Sequence, residues 1–301
     1  MRTSTRWLGL LALAGSPAVA QERAQLVTAL ERRIAQSAGG GAVVGLYVHD
    51  LRTTDSILIN ADLRFHAAST MKVPVMIQVF REVDAGRLRL QDALAVTDTF
   101  RSIADTSHYR LDRADDSDSS LYARVGRTAS VRELVELMIT VSSNLATNIL
   151  IDRVRSDSVQ AAMRAIGADS MLVLRGVEDG AAFRAGLNNT TTARALGQIF
   201  VALAEGRAAS PASCGQMLAV LARQRFRDAI PAGLPRNTRV AHKTGTITAL
   251  HHDGGVIYVG GRPRYVLVVL TRGLEDRRAS AALIADLTRM IHESLEGPVI
   301  R

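Results

Sequence analysis

The tetrapeptide Ser69-Thr70-Met71-Lys72 combines a hydroxyl and an amine at a spacing that one helix face can hold. Positions i and i+3 of a helix are neighbours, so Ser69 Oγ and Lys72 Nζ can meet. A serine hydroxyl is a poor nucleophile unless a base lies beside it. A lysine becomes that base when burial or a nearby cation lowers its pKa. The pair therefore indicates nucleophilic catalysis, although the spacing is also common by chance.

Lysine is rare in this chain, which makes its two positions informative. Of 37 Lys and Arg residues, only Lys72 and Lys243 are lysines. Arginine stays protonated in proteins, so it cannot replace lysine where an amine must release a proton. Lys243 stands in a predicted strand, residues 242–246 (HKTGT), where it shares a face with Gly245. Glycine there would let a ligand approach the backbone closely.

A third group, Ser142-Ser143-Asn144, lies at the junction of two predicted helices. Ser-x-x-Lys, Ser-x-Asn and Lys-Thr-Gly in this order resemble the motifs of the penicillin-recognising serine hydrolases. Their spacing is similar to that of the class A β-lactamases, over essentially the whole chain after residue 20. Ser143 departs from the family's Ser-Asp-Asn motif. The family's Asp is mainly structural, so the resemblance implies little mechanistic consequence.

The resemblance implies opening of a β-lactam ring through an acyl-serine, with no cofactor and no metal. Ser69 would be the nucleophile, Lys72 its base or proton relay, and Ser142 the donor of a proton to the leaving nitrogen. The main-chain N–H groups of Ser69 and Thr246 would form the oxyanion hole. The implied substrate-binding residues are Asn144, Lys243, Thr244, Gly245 and Thr246.

The stretch that should supply the deacylating base departs further from the family. Class A enzymes carry Glu-x-x-Leu-Asn there, and this chain has Glu178 followed by Ala181-Ala182. Glu178 is the expected catalytic base, with Asp179 as its rival. Leu187-Asn188 could return a side chain to the site, or could enter the next helix with Asn189 as its cap.

Three functions stay open on these motifs. The first is a β-lactamase of class A type. The second, favoured by the altered glutamate loop, is a penicillin-binding, peptidase or esterase relative that acylates but deacylates slowly. The third is a β-lactam-binding module without catalysis. The first agrees best with the presence of the nucleophile and both lysines.

Periodicity predicts the elements that position these residues. Amphipathic helices are expected at both ends, a hairpin follows the first helix, and three strands precede the last. The expected fold is α+β, an antiparallel five-stranded sheet flanked by the terminal helices, with a helical lobe inserted, in three layers. We expect a sheet lobe from residues 21–65 and 235–301, a helical lobe from 66–234, and the active site in the cleft between them. The predicted elements are helices 22–36, 69–84, 130–143, 144–155, 158–166 and 190–206, strands 42–50, 55–60, 238–246, 252–260 and 264–273, and helix 277–295.

Composition narrows the partners. Hydrophobic residues make up 47% of the chain, which is typical of a globular protein. The net charge of +8 comes from scattered arginines without interleaved aromatic residues, which argues against nucleic-acid binding. Residues 1–20 read as a signal peptide cleaved after Ala20, so we expect a periplasmic or secreted monomer without a stable membrane anchor. The single cysteine, Cys214, excludes an intramolecular disulfide.

Other polar residues have weaker interpretations. The acidic run at residues 115–120 lacks the spacing of a calcium loop and is expected to be a solvated loop. The histidines have no metal-binding spacing and are expected to be structural. Several arginines near the strands could support a substrate carboxylate, and the sequence does not choose among them. The histidines are His66, His242, His251 and His252, and the arginines are Arg239, Arg262, Arg264 and Arg272.

Overall fold

The computed structural model describes residues 17–37 and 41–297. The predicted signal segment, residues 1–20, lies outside the described residues up to position 16, and the expected cleavage point after Ala20 falls within the first helix. In the two described ranges, no helix has both the length and the apolar character needed to cross a membrane.

One antiparallel sheet carries the fold. Its strands are β1 (Val43–Asp50), β2 (Ser56–Ile59), β9 (Val240–Ile247), β10 (Leu250–Val259) and β11 (Arg262–Arg272). Their order is β2-β1-β11-β10-β9, so β9, the strand of the HKTGT motif, lies at an edge. Three short pairs lie outside this sheet: β3 (Phe65–His66) with β8 (Thr190–Thr191), β4 (Ala93–Ala95) with β7 (Thr128–Ser130), and β5 (Thr99–Arg101) with β6 (His108–Arg110).

Helices cover both faces of the sheet. They are α1 (Pro17–Ala35), α2 (Lys72–Asp84), α3 (Val131–Thr140), α4 (Asn144–Val154), α5 (Ser156–Ala165), α6 (Gly180–Arg184), α7 (Ala193–Ala204), α8 (Pro211–Leu221) and α9 (Arg277–Glu296). Ser130 caps α3, since its Oγ accepts from Glu133 N. Neither α6 nor α8 has a counterpart among the predicted helices, although Ser210 before Pro211 is a helix-start signal.

The two faces of β11 show how the layers form. Val266 and Val268 belong to the apolar cluster on the side of α7, whereas Leu267 and Val269 belong to the cluster covered by α1 and α9. This alternation buries a strand on both sides. Each buried aliphatic side chain contributes about 1.5–3 kcal/mol of transfer free energy. The predicted α+β class, with a five-stranded antiparallel sheet between helical layers, is confirmed.

Candidate active site

The nucleophile candidate lies in a tight turn. Ser69 belongs to a 3-10 turn, Ala68–Met71, that runs directly into α2. Ala68 adopts the left-handed φ of 45°, and its N–H donates to His66 Nδ1 at 3.0 Å. Ser69 is partly exposed and lines a cleft of about 670 Å³. Its hydroxyl is therefore within reach of a small-molecule substrate.

Gly245 brings the edge strand against this turn. A Cβ on Gly245 would lie 3.1 Å from the backbone nitrogens of Ser69 and Thr70. The sequence suggested that a ligand approaches Gly245 closely. The structure instead places the backbone of the candidate nucleophile, Ser69, against this glycine. Thr246, the next residue of β9, lines the cleft, whereas Thr244 is buried.

Lys72 is fully buried beneath the cleft. Its Nζ donates to Ser142 O at 2.6 Å, to Ser142 Oγ at 3.1 Å and to Asn144 Oδ1 at 2.8 Å. These acceptors engage all three protons of an ammonium group. The expected direct hydrogen bond from Lys72 to Ser69 Oγ is accordingly absent from the described part of the chain. Burial lowers the pKa of Lys72 from 10.5 to about 7, against the opposing charges of Asp116 and Glu178.

Ser142 stands between the two lysines. Its Oγ lies 3.1 Å from Lys72 Nζ and 3.1 Å from Lys243 Nζ, and its backbone has a left-handed φ of 63°. Lys243 also donates to Thr244 O at 2.9 Å. Burial, followed by the charge of Lys72, holds the pKa of Lys243 well below its usual range. One hydroxyl between two amines can relay a proton from either side.

Asn144 connects this cluster to Glu178. The amide Oδ1 accepts from Lys72, and Nδ2 donates to Glu178 Oε1 at 2.9 Å. Burial raises the pKa of Glu178, the Asn144 hydrogen bond lowers it, and the charge of Asp116 raises it further. Glu178 lines the cleft in a left-handed conformation, with a φ of 63°. A carboxylate with a raised pKa is a better general base.

Asn148 fixes the backbone just before Glu178. Its Oδ1 accepts from Val177 N at 2.7 Å, and its Nδ2 donates to Val177 O at 3.0 Å. The rival carboxylate, Asp179, is 1% exposed. It accepts from Ser102 Oγ at 2.7 Å and from two backbone N–H groups, of Ile103 and Ala182. Asp179 therefore anchors the loop and caps α6. Glu178, which lines the cleft, is the better candidate for the general base.

The two asparagines of the loop serve Arg175. Asn188 Oδ1 accepts from Arg175 Nη2 at 3.3 Å. Asn189 Oδ1 accepts from the N–H groups of Leu174 and Arg175, and its Nδ2 donates to Arg175 O. Neither alternative suggested for this stretch holds. Asn188 does not return to Glu178, and the cap of α7 is Thr192.

Asp116 is the residue that the sequence interpretation missed. Its carboxylate accepts from Asn144 N at 2.9 Å and 3.0 Å, from Leu145 N at 2.9 Å and from the Tyr122 hydroxyl at 3.1 Å. The expectation of a purely solvated acidic loop is wrong at this position. Ser143, at the site of the family's Asp, accepts from Ala146 N and caps α4.

Two of the histidines, His242 and His252, make buried contacts within the fold, whereas His66 lines the cleft. His242 Nδ1 lies 2.9 Å from Asp253 Oδ1, with both side chains fully buried. His252 Nδ1 accepts from Thr271 N, so its Nε2 donates to His66 O at 2.9 Å. Across residues 17–37 and 41–297, no group of three His, Cys, Asp or Glu side chains is arranged to hold a metal ion.

The four arginines suggested for a substrate carboxylate are not among the described residues that line the cleft. Arg239 lies over the ring of Tyr258 and Arg272 over that of Phe65. Arg264 pairs with Asp50 at the end of β1 and with Glu296 at the end of α9. The arginines that line the cleft are Arg110, Arg175 and Arg184.

Comparison with known proteins bears on the family and the fold of the chain. A family model described as the beta-lactamase enzyme family matches residues 25–295. A beta-lactamase of Streptomyces albus G is 26% identical over 275 residues, which cover 89% of this chain and 85% of that protein. The structure of PBP-A superposes with a TM-score of 0.77 at 26% identity, over 90% of this chain and 96% of the other. An ancestral class A beta-lactamase gives 0.77 at 28% identity, over 90% and 100%.

Fold and motifs together define a class A β-lactamase-like serine hydrolase. The family match extends over most of the described residues, from 25 to 295. The chain belongs to the beta-lactamase enzyme family.

Proposed function

We propose that this protein hydrolyses β-lactams, which are cyclic amides, through an acyl-serine intermediate. The observation that carries the proposal is the position of Ser142 Oγ, 3.1 Å from the Nζ atoms of both Lys72 and Lys243. Such an arrangement serves proton transfer to a leaving nitrogen. The relatives named beta-lactamases support the substrate class.

In the acylation step, Ser69 Oγ attacks the lactam carbonyl carbon and the ring C–N bond breaks. Lys72, as the neutral amine, receives the proton of Ser69. Ser142 delivers its own proton to the ring nitrogen and is reprotonated by Lys72, whose Nζ lies 3.1 Å from Ser142 Oγ. Lys243 supports the Ser142 hydroxyl and supplies positive potential. The N–H groups of Ser69 and Thr246 would stabilise the oxyanion.

Substrate binding is assigned to the edge strand and to α4. Asn144 would hold the acylamide side chain of the substrate, and Thr244 and Thr246 its carboxylate. Gly245 keeps the strand close to the Ser69 turn. We also propose the division into a sheet lobe (21–65 and 235–301) and a helical lobe (66–234), supported by a cleft to which both Thr246 and Asn144 contribute.

Deacylation is assigned to Glu178. Its carboxylate takes a proton from water as the water oxygen attacks the acyl ester carbon. The ester C–O bond then breaks, and the proton held by Glu178 returns to Ser69 Oγ. The hydrogen bond from Asn144 aims Glu178 Oε1 into the same cluster that served acylation.

A penicillin-binding type of activity, with slow deacylation, is the second candidate. Its support is that no described Asn downstream of Glu178 takes the place of the family's Leu-Asn. Residues 181 and 182 are alanines, and the side chains of Asn188 and Asn189 bind Arg175. The similarity to PBP-A agrees with it.

One experiment separates the two. The protein is mixed with a penicillin, and ring opening and intact mass are followed together. Multiple turnovers without a persistent adduct support hydrolysis, and a long-lived adduct at Ser69 supports the second candidate. If the protein shows no turnover and forms no adduct, both candidates are rejected.

Two variants test the assigned roles. Glu178→Gln should trap the acyl-enzyme, whereas Glu275→Gln, the same change at an exposed position, should turn over normally. Lys72→Arg keeps the charge but cannot release a proton, so acylation should be lost. Unchanged turnover by Glu178→Gln, or an active Lys72→Arg, would contradict the corresponding role.

We further propose export to the periplasm or medium with cleavage after Ala20, and a monomeric state. Mass spectrometry of the exported chain and its sedimentation would test these points.

A further inference from the structure

Asp116 lies at the N-terminus of α4, beside the Ser142–Asn144 turn. The first N–H groups at the N-terminus of any α-helix have no acceptor within the helix. Here Asp116 takes those of Asn144 and Leu145, and Ser143 Oγ takes that of Ala146. The carboxylate is also favoured by the partial positive charge of a helix N-terminus.

The turn held in this way carries both partners of Lys72. Ser142 and Asn144 provide all three acceptors of its Nζ, and Ser142 is itself in the left-handed region. Any shift of the backbone at Asn144 therefore moves the contacts of Lys72 and of Glu178 together. Tyr122 donates its hydroxyl to Asp116 and fixes the carboxylate from the other side.

We propose that Asp116 is the positioning residue that holds the Ser142–Asn144 turn against Lys72, in the place of the carboxylate that position 143 lacks. This inference rests on the proposed function, because it assigns Asp116 a part in the same reaction. Asp116 acts through Ser142, Asn144 and Lys72, and the substrate does not touch it.

The charge of Asp116 gives the proposal a readout apart from structure. Lys72 is faced by the carboxylates of Asp116 and Glu178 and by the ammonium of Lys243. Burial lowers the pKa of Lys72, and the charge of Asp116 partly opposes that shift. Glu178 is faced by Asp115 and Asp116, which add to the effect of burial on its pKa. Removal of the Asp116 charge should therefore lower the pKa of both Lys72 and Glu178.

The two-lysine composition makes this measurable. Labelling with ¹³Cε-lysine yields resonances from Lys72 and Lys243 alone, so the titration of Lys72 can be followed in the intact protein. In Asp116→Asn, which keeps the size of the side chain, we expect the Lys72 midpoint to fall by about one unit. Asp118→Asn is the matched control in the same acidic run. Asp118 accepts from Ser120 N and makes no bond to α4 in the described residues, so its variant should titrate like the wild type.

Kinetics complete the test. Asp116→Asn should reduce the acylation rate by about tenfold to a hundredfold, as expected when a charged hydrogen-bond acceptor is lost. The rising limb of its acylation profile, set by Lys72, and that of its deacylation profile, set by Glu178, should both move to lower pH. Asp116→Glu retains the charge and should keep the Lys72 midpoint near that of the wild type. The double variant Asp116→Asn/Ser143→Asp should regain most of the lost rate, because Asp is also a good N-cap.

A wild-type titration and rate in Asp116→Asn would overturn the proposal. A loss of thermal stability in that variant with an unchanged Lys72 midpoint would also overturn it, because the role would then be structural only. A double variant as slow as Asp116→Asn would refute the equivalence with position 143. If the wild type opens no β-lactam, the proposed function fails, while the lysine titration still tests Asp116.

Discussion

Lys72 should make the protein less stable at neutral pH than at alkaline pH. Burial lowers its pKa from 10.5 to about 7, so folding forces this amine towards its neutral form. Below pH 7 the folded state bears the full free-energy cost of burying the protonated Lys72 amine. Between pH 7 and 10.5 the unfolded chain keeps the proton that the folded chain has released. The unfolded state then binds more protons, and the free energy of unfolding rises with pH.

The size of the effect follows from the two pKa values. Each pKa unit corresponds to about 1.4 kcal/mol, so the whole window amounts to about 5 kcal/mol. Lys72→Met removes this titration and keeps a side chain of similar length. Relative to Lys72→Met, the wild type should gain about 2 to 3 kcal/mol of stability between pH 7.5 and 9.5. Lys72→Met also loses the hydrogen bonds from Lys72 to Ser142 and Asn144. That loss lowers the free energy of unfolding by the same amount at each pH and leaves its slope against pH unchanged. Lys72→Met also removes the charge that lowers the pKa of Lys243, and the resulting rise in that pKa adds to the same difference between the two proteins.

Urea unfolding of both proteins, followed by circular dichroism at several pH values, measures the difference directly. Arg113→Met, at an exposed position, controls for loss of a positive charge and should leave the wild-type slope intact. A wild-type-minus-Lys72→Met difference that stays constant across this range would refute the lowered pKa of Lys72.

Three further outcomes are expected. The acylation rate of the wild type should rise with pH with a midpoint near 7, since neutral Lys72 is required, and a flat profile in stopped-flow measurements would contradict this. Gly176→Ala should slow deacylation about tenfold more than acylation in burst kinetics, because its Cβ would lie 2.4 Å from Tyr109 Oη and displace the backbone leading to Glu178. Equal slowing of both steps would count against that reasoning. Arg264→Met should cost about 3 kcal/mol in urea unfolding with turnover preserved, since it strands the buried carboxylate of Asp50.

Much of the site could be predicted because its residues form short motifs. Ser69 with Lys72, and Lys243 with Thr246, are each set by a few neighbouring positions and a regular element. Asp116 could not be found in this way, because its partners are backbone N–H groups 28 residues away along the chain. Neither pattern nor residue type records such a contact.

The glutamate loop shows the same limit. Its shape depends on hydrogen bonds from Asn148 and Asn189 to backbone groups, each 14 to 29 residues distant. The sheet, in contrast, followed from apolar runs and turns, because the β11 pattern of burial on both faces is local. Helix α8 escaped prediction because Ser213, Cys214 and Gly215, which are weaker helix formers, interrupt its first turns.

Ala68, Ser142 and Glu178, all in the left-handed region, are either candidate catalytic residues or, in the case of Ala68, the residue directly before one. A non-glycine residue in this region costs on the order of 1–3 kcal/mol. The rest of the fold must supply that free energy, which leaves less room for other destabilising substitutions. A glycine at position 68 would relieve this strain but leave the turn that holds Ser69 freer to move. Stability and the shape of the candidate site therefore make opposite demands on a position that carries no reactive group.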